Sequence, residues 1–166
     1  MSISVSTIMT KAVAVVQPQL SLADLERTFV ETGVSGFPVT DHDYQLLGVV
    51  ARSDIVRQLV VERSVAEMAT DFYRDVHAYS EDASALTQEI ATTLGRRLEH
   101  LKVQDVMSRN LITITPDASL QALSELMLRK HIHRVPVCRD NTLIGIVSAL
   151  DLTRLIAEGR LVEAGV

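Results

Sequence analysis

Gly48-Val49-Val50-Ala51-Arg52-Ser53-Asp54 returns 97 positions later as Gly145-Ile146-Val147-Ser148-Ala149-Leu150-Asp151. Working outward, Leu46/Leu143 and Arg57/Arg154 match at the same offset. Upstream the offset becomes 98, because one loop residue drops out, and Val5/Val103, Met9/Met107, Pro18/Pro116, Ser21/Ser119, Leu22/Leu120, Leu25/Leu123, Pro38/Pro136 and Val39/Val137 all match. The stretch Val5 to Leu59 is thus used again as Val103 to Ile156. A fixed period of this kind marks one supersecondary unit used twice, each copy needing the other to cover its apolar face. A pseudo-two-fold pair also forms a cleft between its copies, the natural place to look for function.

Each copy reads alike. A short β-branched strand (Val13 to Val16; Leu111 to Thr115) ends at Pro18 or Pro116, which cannot continue a ladder. A helix follows, opened by Ser21 with Asp24 three positions on, or by Ser119. Leu22, Leu25, Phe29 and Val30 recur at helical spacing up to Gly33, which suits the C-terminal cap, and Leu120, Leu123, Leu126 and Met127 do so in the second copy. Next come strands around Phe37-Pro38-Val39 and Val135-Pro136-Val137, polar turns, and strands Leu46 to Ala51 and Leu143 to Ser148. A final helix turns Ile55 and Leu59, or Leu152, Leu155 and Ile156, inward. The domains are therefore repeat 1 at 5–61, an insert at 62–102, repeat 2 at 103–158 and a tail at 159–166. In the insert, Val65, Met68, Ala69, Phe72, Tyr73 and Val76 form one helical stripe, expected to pack as core. Leu86, Ile90, Leu94, Leu98 and Leu101 suggest a second helix after a polar turn at Tyr79–Asp82, since a structureless insert of this length is unusual in a compact domain.

Composition narrows the function classes. The 166 residues are 47% hydrophobic and 22% charged, as in a soluble globular protein, and with no Trp and 4% aromatics the core must be mostly aliphatic. No apolar run approaches the roughly 18–20 residues of a membrane span, and Met1-Ser-Ile-Ser-Val lacks the pattern of a signal peptide. The lone Cys138 cannot form an internal disulfide, which fits a reducing cytoplasm. The net charge of −5 is uneven: residues 62–102 hold 8 acidic against 5 basic side chains, while 103–166 hold 7 of each. With no basic face or Lys/Arg run, nucleic-acid binding through phosphate neutralisation is not expected.

The two motif sets resemble the CBS domain, used in tandem as a Bateman module. The resemblance is carried by Ile8-Met9-Thr10 and Val106-Met107-Ser108, by Gly36-Phe37-Pro38-Val39 and His133-Arg134-Val135-Pro136-Val137, and by the heptapeptides quoted at the outset. It implies an α/β (α+β) fold of two pseudo-symmetric β-α-β-β-α repeats packed sheet to sheet, with the helical insert between them. It also implies an adenine-containing regulatory ligand (AMP, ADP, ATP or S-adenosylmethionine), with no catalytic cofactor, and a homodimer as the usual assembly. In such pairs a small hydroxyl residue followed three positions later by Asp holds the ribose and phosphate end. Adenine rests on backbone and apolar groups of the other copy's leading segment.

In the second copy the chemistry suits that role. Ionised Asp151 is acceptor-only and matches two ribose hydroxyls, and Ser148 can donate to ribose or phosphate. The helix start favours a phosphate, and Arg134, preceded by His133, offers a planar donor fork. Adenine would then lie against Ile8, Lys11, Ala12 or Val13. Ser148-x-x-Asp151 is equally a capping box, and the two roles are compatible. The first copy departs from this pattern: Ala51 replaces the hydroxyl residue and Ser35-Gly36 stands in place of His133-Arg134. Asp54, Arg52, Gly36, Phe37, Val106 and Arg109 would make only a weaker, altered or vacant cleft. His131 and His133 have no third ligand at a metal spacing, so no metal is expected.

Three classes are then weighed. A regulatory nucleotide sensor acting on an effector protein leads, with dimer contacts sought near Leu25–Phe29 and Leu152–Ile156. A ligand-free scaffold that uses the pair only to dimerise is the alternative, favoured by Ala51. An enzyme is not expected: there is no Gly-rich phosphate loop, no G-x-S-x-G elbow and no base-and-nucleophile pair, so no catalytic residue is assigned. Cys138 reads as packing at the end of its strand.

Overall fold

In the computed structural model of the chain, residues 3–76 and 100–160 are described. Ser21 and Ser119 open their helices as the spacing predicts, Ser21 Oγ accepting from Asp24 N–H and Ser119 Oγ from Ala122 N–H, both at 3.1 Å. These helices are α1 (Leu22–Thr32) and α4 (Leu120–Lys130). Gly33 caps α1 at φ 66°, whereas α4 ends on His131 at φ 52°, a left-handed conformation that a side chain rarely adopts. The other elements are β1 (Gly36–Thr40), β2 (Leu46–Ala51), α2 (Arg52–Val76), α3 (Val103–Val106), β3 (Arg134–Arg139), β4 (Thr142–Ser148) and α5 (Ala149–Ala157). They form two two-stranded sheets, β1–β2 and β3–β4. The β3–β4 pair is antiparallel, with Arg134 opposite Ser148 and a register shift between Val137 and Cys138.

The α/β class and the order of each repeat stand, with one change. The leading strand shrinks to a single parallel bridge, Val16 to Val39 in one copy and Ile114 to Val137 in the other. The neighbouring Pro38 and Pro136 accept one bond each, from Val16 N–H and Ile114 N–H, both at 3.1 Å. Having no N–H to return, they stop the ladder from growing.

The described residues divide into two compact units that cut across the repeats: 3–15, 40–47 and 110–160 form unit 1, and 16–39, 48–76 and 100–109 form unit 2. The leading segment of one repeat thus belongs with the hairpin and closing helix of the other. In unit 1, Val5 N–H donates to Ala118 O at 3.0 Å and Ser6 N–H to Pro116 O at 2.9 Å, so the segment enters the core made by Val5, Leu123, Val135, Val137, Val147 and Leu155. A satellite cluster joins Leu46, Cys138 and Leu143 to Val13, Val15 and Leu111. In unit 2, Val103 N–H bonds to Leu20 O at 2.9 Å and Gln104 N–H to Pro18 O at 3.0 Å, beside the buried Leu25, Phe29, Phe37 and Val50.

Several apolar residues lie elsewhere than expected. Leu25 and Phe29 are 0% and 1% exposed, so they build unit 2 and offer nothing to a second chain. Each side chain contributes about 1.5–3 kcal/mol by being buried, which keeps it there. Conversely, Val30, Leu59 and Ile156 face outward. The repeat's closing helix and the first insert helix are one 25-residue element, α2. Its Val65 and Met68 are exposed instead of packed as core. No helix-breaking residue stands between Arg52 and Val76, so nothing ends the helix at the repeat boundary. The second insert stripe lies outside the described residues, except that His100 is helical and Leu101 follows it.

Candidate functional site

Every residue named for the stronger site falls in unit 1. The segment 1–15 meets β4 through Thr10 N–H to Ile146 O at 2.9 Å and the return bond, Ile146 N–H to Thr10 O, at 3.0 Å. The bridge is antiparallel, so Ile8 lies on the Ser148 side of it, and Lys11, Ala12 and Val13 lie on the Leu143 side. Lys11 and Ala12 are exposed, and Val13 is partly buried against the Leu46–Cys138–Leu143 cluster. The set is therefore extended along one edge, with Ile8 nearer the carboxylate and Val13 farther from it.

At the carboxylate end, Asp151 Oδ2 accepts from Ser148 N–H at 2.8 Å and from Ser148 Oγ–H at 2.7 Å. The capping geometry is thus present, and the hydroxyl is brought against the carboxylate. Asp151 Oδ1 stands 3.8 Å from Arg154 Nη1, beyond hydrogen-bonding distance. Arg134 faces Ser148 across the β3–β4 ladder, and His133 O accepts from Ala149 N–H at 2.9 Å, fixing the chain beside the start of α5. Backbone register, not side-chain reach, brings His133, Arg134, Ser148 and Asp151 together.

The weaker set falls in unit 2, on the same plan. Val49 and Ser108 exchange bonds of 3.0 and 2.9 Å, which brings Val106 and Arg109 to β2. Asp54 Oδ2 accepts from Ala51 N–H at 2.8 Å, but Ala51 has no hydroxyl to add. Asp54 Oδ1 accepts from Arg57 Nη1 at 3.1 Å, a tighter pair than its counterpart in unit 1. Arg52 donates from Nη2 to Phe29 O at 2.6 Å, with its guanidinium 5.5 Å from the Phe29 ring centroid. Phe37 is buried against that ring, the centroids 5.1 Å apart. Gly36 sits beside Val50 O, and Arg109 donates from Nη2 to Gln104 O at 3.4 Å. Phe37 thus serves the core, and Arg52 is held at the end of α1.

Sequence reading did not anticipate the Arg52–Phe29 contact. The signal available was a cation at a position where the other repeat has Ala149.

The CBS domain family model matches residues 5–61 and 103–158. The chain belongs to the CBS domain family. Protein MJ1426 of Methanocaldococcus jannaschii is 32% identical over 149 residues, 89% of this chain and 88% of the relative. Among solved structures, CBSX2 in complex with AMP superposes with a TM-score of 0.67 at 24% identity, covering 95% of this chain and 98% of the other. The CBS domain pair of protein MJ0100 in complex with 5-methylthioadenosine and S-adenosyl-L-methionine gives a TM-score of 0.63 at 19% identity, covering 95% and 98%. In this CBS pair, no helix of the described residues is long and apolar enough to cross a membrane.

Proposed function

We propose that this CBS pair is a regulatory sensor for an adenine nucleotide or S-adenosylmethionine, bound at the Asp151 site, which acts on an effector protein. The observation that carries the reading is the unequal pair of carboxylates: Asp151 has a hydroxyl at 2.7 Å and a loosely held Oδ1, while Asp54 has no hydroxyl and a tightly held Oδ1. Asp151 Oδ1 accepts from ribose hydroxyls, Ser148, Arg134 and the start of α5 meet phosphate or carboxylate oxygens, and His133 borders them. Ile8, Lys11, Ala12 and Val13 line the path of the base. The complexes of CBSX2 with AMP and of MJ0100 with S-adenosyl-L-methionine support the ligand class.

As a homodimer, the sensor would use the exposed Val61, Val65 and Met68 of α2, which recur at helical spacing on one stripe. Cytoplasmic residence goes with this role. Titration calorimetry with AMP, ATP and S-adenosylmethionine tests the reading, with one site per chain expected for at least one of them. If none of them binds or raises the melting temperature, the ligand-free scaffold stands in its place, a reading that Ala51 and the internally bonded carboxylates favour.

A further inference from the structure

The Asp151 site of unit 1 and the Asp54 site of unit 2 share everything that a ribose would meet. The Asp151 and Asp54 side chains are 11% and 13% exposed, so neither carboxylate is more accessible than the other. Each accepts a 2.8 Å bond from the backbone N–H three positions earlier, and each stands in the first turn of a helix. The helix dipole therefore acts with the same sign at both.

The two sites differ beside the residue that precedes each helix. In unit 1, Arg134 is directly opposite Ser148 across the β3–β4 ladder, so the two side chains share one face and lie side by side. The next pair, Val135 and Val147, points the other way into the core. Guanidinium and hydroxyl thus stand together next to Asp151. In unit 2 the corresponding residues are Gly36 and Ala51. A Cβ on Gly36 would lie 3.7 Å from the Ala51 Cβ, so the same pair is kept but reduced to bare backbone and a methyl group. Ser35 stands in place of His133. The nearby cations of unit 2 are engaged elsewhere: Arg52 donates to Phe29 O at 2.6 Å, Arg109 to Gln104 O at 3.4 Å, and Arg57 to Asp54 itself at 3.1 Å.

We infer that the two sites sort adenosyl ligands by the charge carried at the 5′ carbon: the Asp151 site takes a 5′-phosphate, and the Asp54 site takes an uncharged 5′-thioether. Beside Arg134 and Ser148 a phosphate gains charge-assisted bonds, whereas a sulfonium meets a like charge. On Gly36 and Ala51 a phosphate would give up hydration without gaining a charged donor. A methylthio group has little hydration to lose, and the open backbone of Gly36 and the methyl of Ala51 give it room and apolar contact. The inference rests on the reading that Asp151 holds an adenosyl ligand, and it narrows that ligand to a nucleotide.

The test is calorimetry on the full chain with AMP and 5′-methylthioadenosine, each alone and with the other at saturation. Each is expected to fill one site per chain and to leave the affinity of the other unchanged. Rising salt should weaken AMP and spare the thioether. Arg134→Gln should weaken AMP roughly tenfold or more, and Asp54→Asn should weaken the thioether as much, each without effect on the other ligand. Gly36→Arg combined with Ala51→Ser rebuilds the unit 1 pair in unit 2, and it should create a second AMP site and abolish thioether binding. Competition of the two probes for one site, absence of thioether binding, or unchanged AMP affinity in Arg134→Gln overturns the inference. So does a double variant that melts like the parent and still binds a single AMP. Competition with AMP bound leaves the sensor reading standing, whereas failure of AMP, ATP and S-adenosylmethionine alike to bind overturns both.

Discussion

The sulfur of Met9 lies 2.6 Å from the point that a Cβ on Gly145 would occupy, and Met107 stands in the same relation to Gly48, also at 2.6 Å. Four of the repeat's matching positions are thus two interlocks. Each methionine of a leading segment is seated on a bare stretch of β-strand in its own unit, where the exchanged hydrogen bonds of Thr10 with Ile146, or Ser108 with Val49, hold the backbones together.

Gly145→Ala should therefore destabilise unit 1 by about 1–3 kcal/mol, the usual cost of overpacking. Gly48→Ala should cost at least as much, because Ser108 O stands 3.0 Å from its Cβ position, against 3.2 Å for Thr10 O at Gly145. Urea denaturation of the two variants checks the order. Met9→Ala in the Gly145→Ala background should recover part of the loss, since the side chain that must move is then gone.

Arg52→Ala removes a hydrogen bond of 2.6 Å to Phe29 O and the contact with the Phe29 ring. The expected loss is about 1–2 kcal/mol, read by thermal denaturation. Arg52→Lys should rescue only part of it, because an ammonium cannot lie flat on the ring and donate sideways to the carbonyl at once. Full rescue by lysine would show that charge alone matters there.

The repeat was legible because the fold needs the same caps, prolines and glycines twice, and such residues are fixed by backbone geometry. Ser21, Gly33, Ser119 and the Ser148–Asp151 pair all sit where spacing placed them. The regrouping of leading segments into opposite units was not legible, since periodicity reports which face is apolar and not which partner covers it. For the same reason Leu25 and Phe29 read as a surface for a second chain but lie in the core, and Val30 read as part of the helical stripe but lies outside. The single helix Arg52–Val76 was missed because the apolar stripe changes face near Leu59, which imitates a boundary between two helices. At the candidate site, the capping contact of Ser148 with Asp151 followed from their spacing. The capture of Arg52 by Phe29 depends on a contact across 23 positions that no local pattern encodes.

Ser148→Ala and Asp151→Asn separate the capping role from the proposed ligand role. Each should lower stability by about 1 kcal/mol through the start of α5. With Asp151 holding the ribose, AMP affinity measured by calorimetry should fall roughly tenfold or more for Asp151→Asn, whose amide can supply only one acceptor oxygen. Asp54→Asn should cost similar stability and leave AMP affinity unchanged. Equal effects of the two Asp variants on affinity would mean that the clefts are alike and the asymmetry of Ala51 and Ser148 has no bearing on binding.

The apolar stripe of α2 makes a prediction about assembly. Val65→Glu alters an exposed position, so the fold should persist while a dimer held by Val61, Val65 and Met68 dissociates. Light scattering after size exclusion should report the monomer mass for the variant and twice that for the parent. An unchanged mass would place the dimer contact elsewhere or remove it.

Cys138 supplies a pH-dependent prediction. Burial in the cluster with Leu46 and Leu143 raises its thiol above the ordinary range, because the thiolate would lose its hydration there. With the folded thiol titrating later than the unfolded one, the unfolded chain gives up its proton first. Stability from this group is therefore complete below about pH 8.5, where an exposed thiol begins to ionise, and declines as pH rises toward the folded value. Replacement by alanine abolishes this slope at the expense of a small cavity, whereas serine keeps nearly the same volume without ionising. Urea midpoints measured from neutral to alkaline pH should accordingly converge for the parent and Cys138→Ser as pH rises. Labelling with an aromatic disulfide at neutral pH should be slow until denaturant opens unit 1, and rapid labelling of the folded chain would show that the thiol is not protected by this cluster.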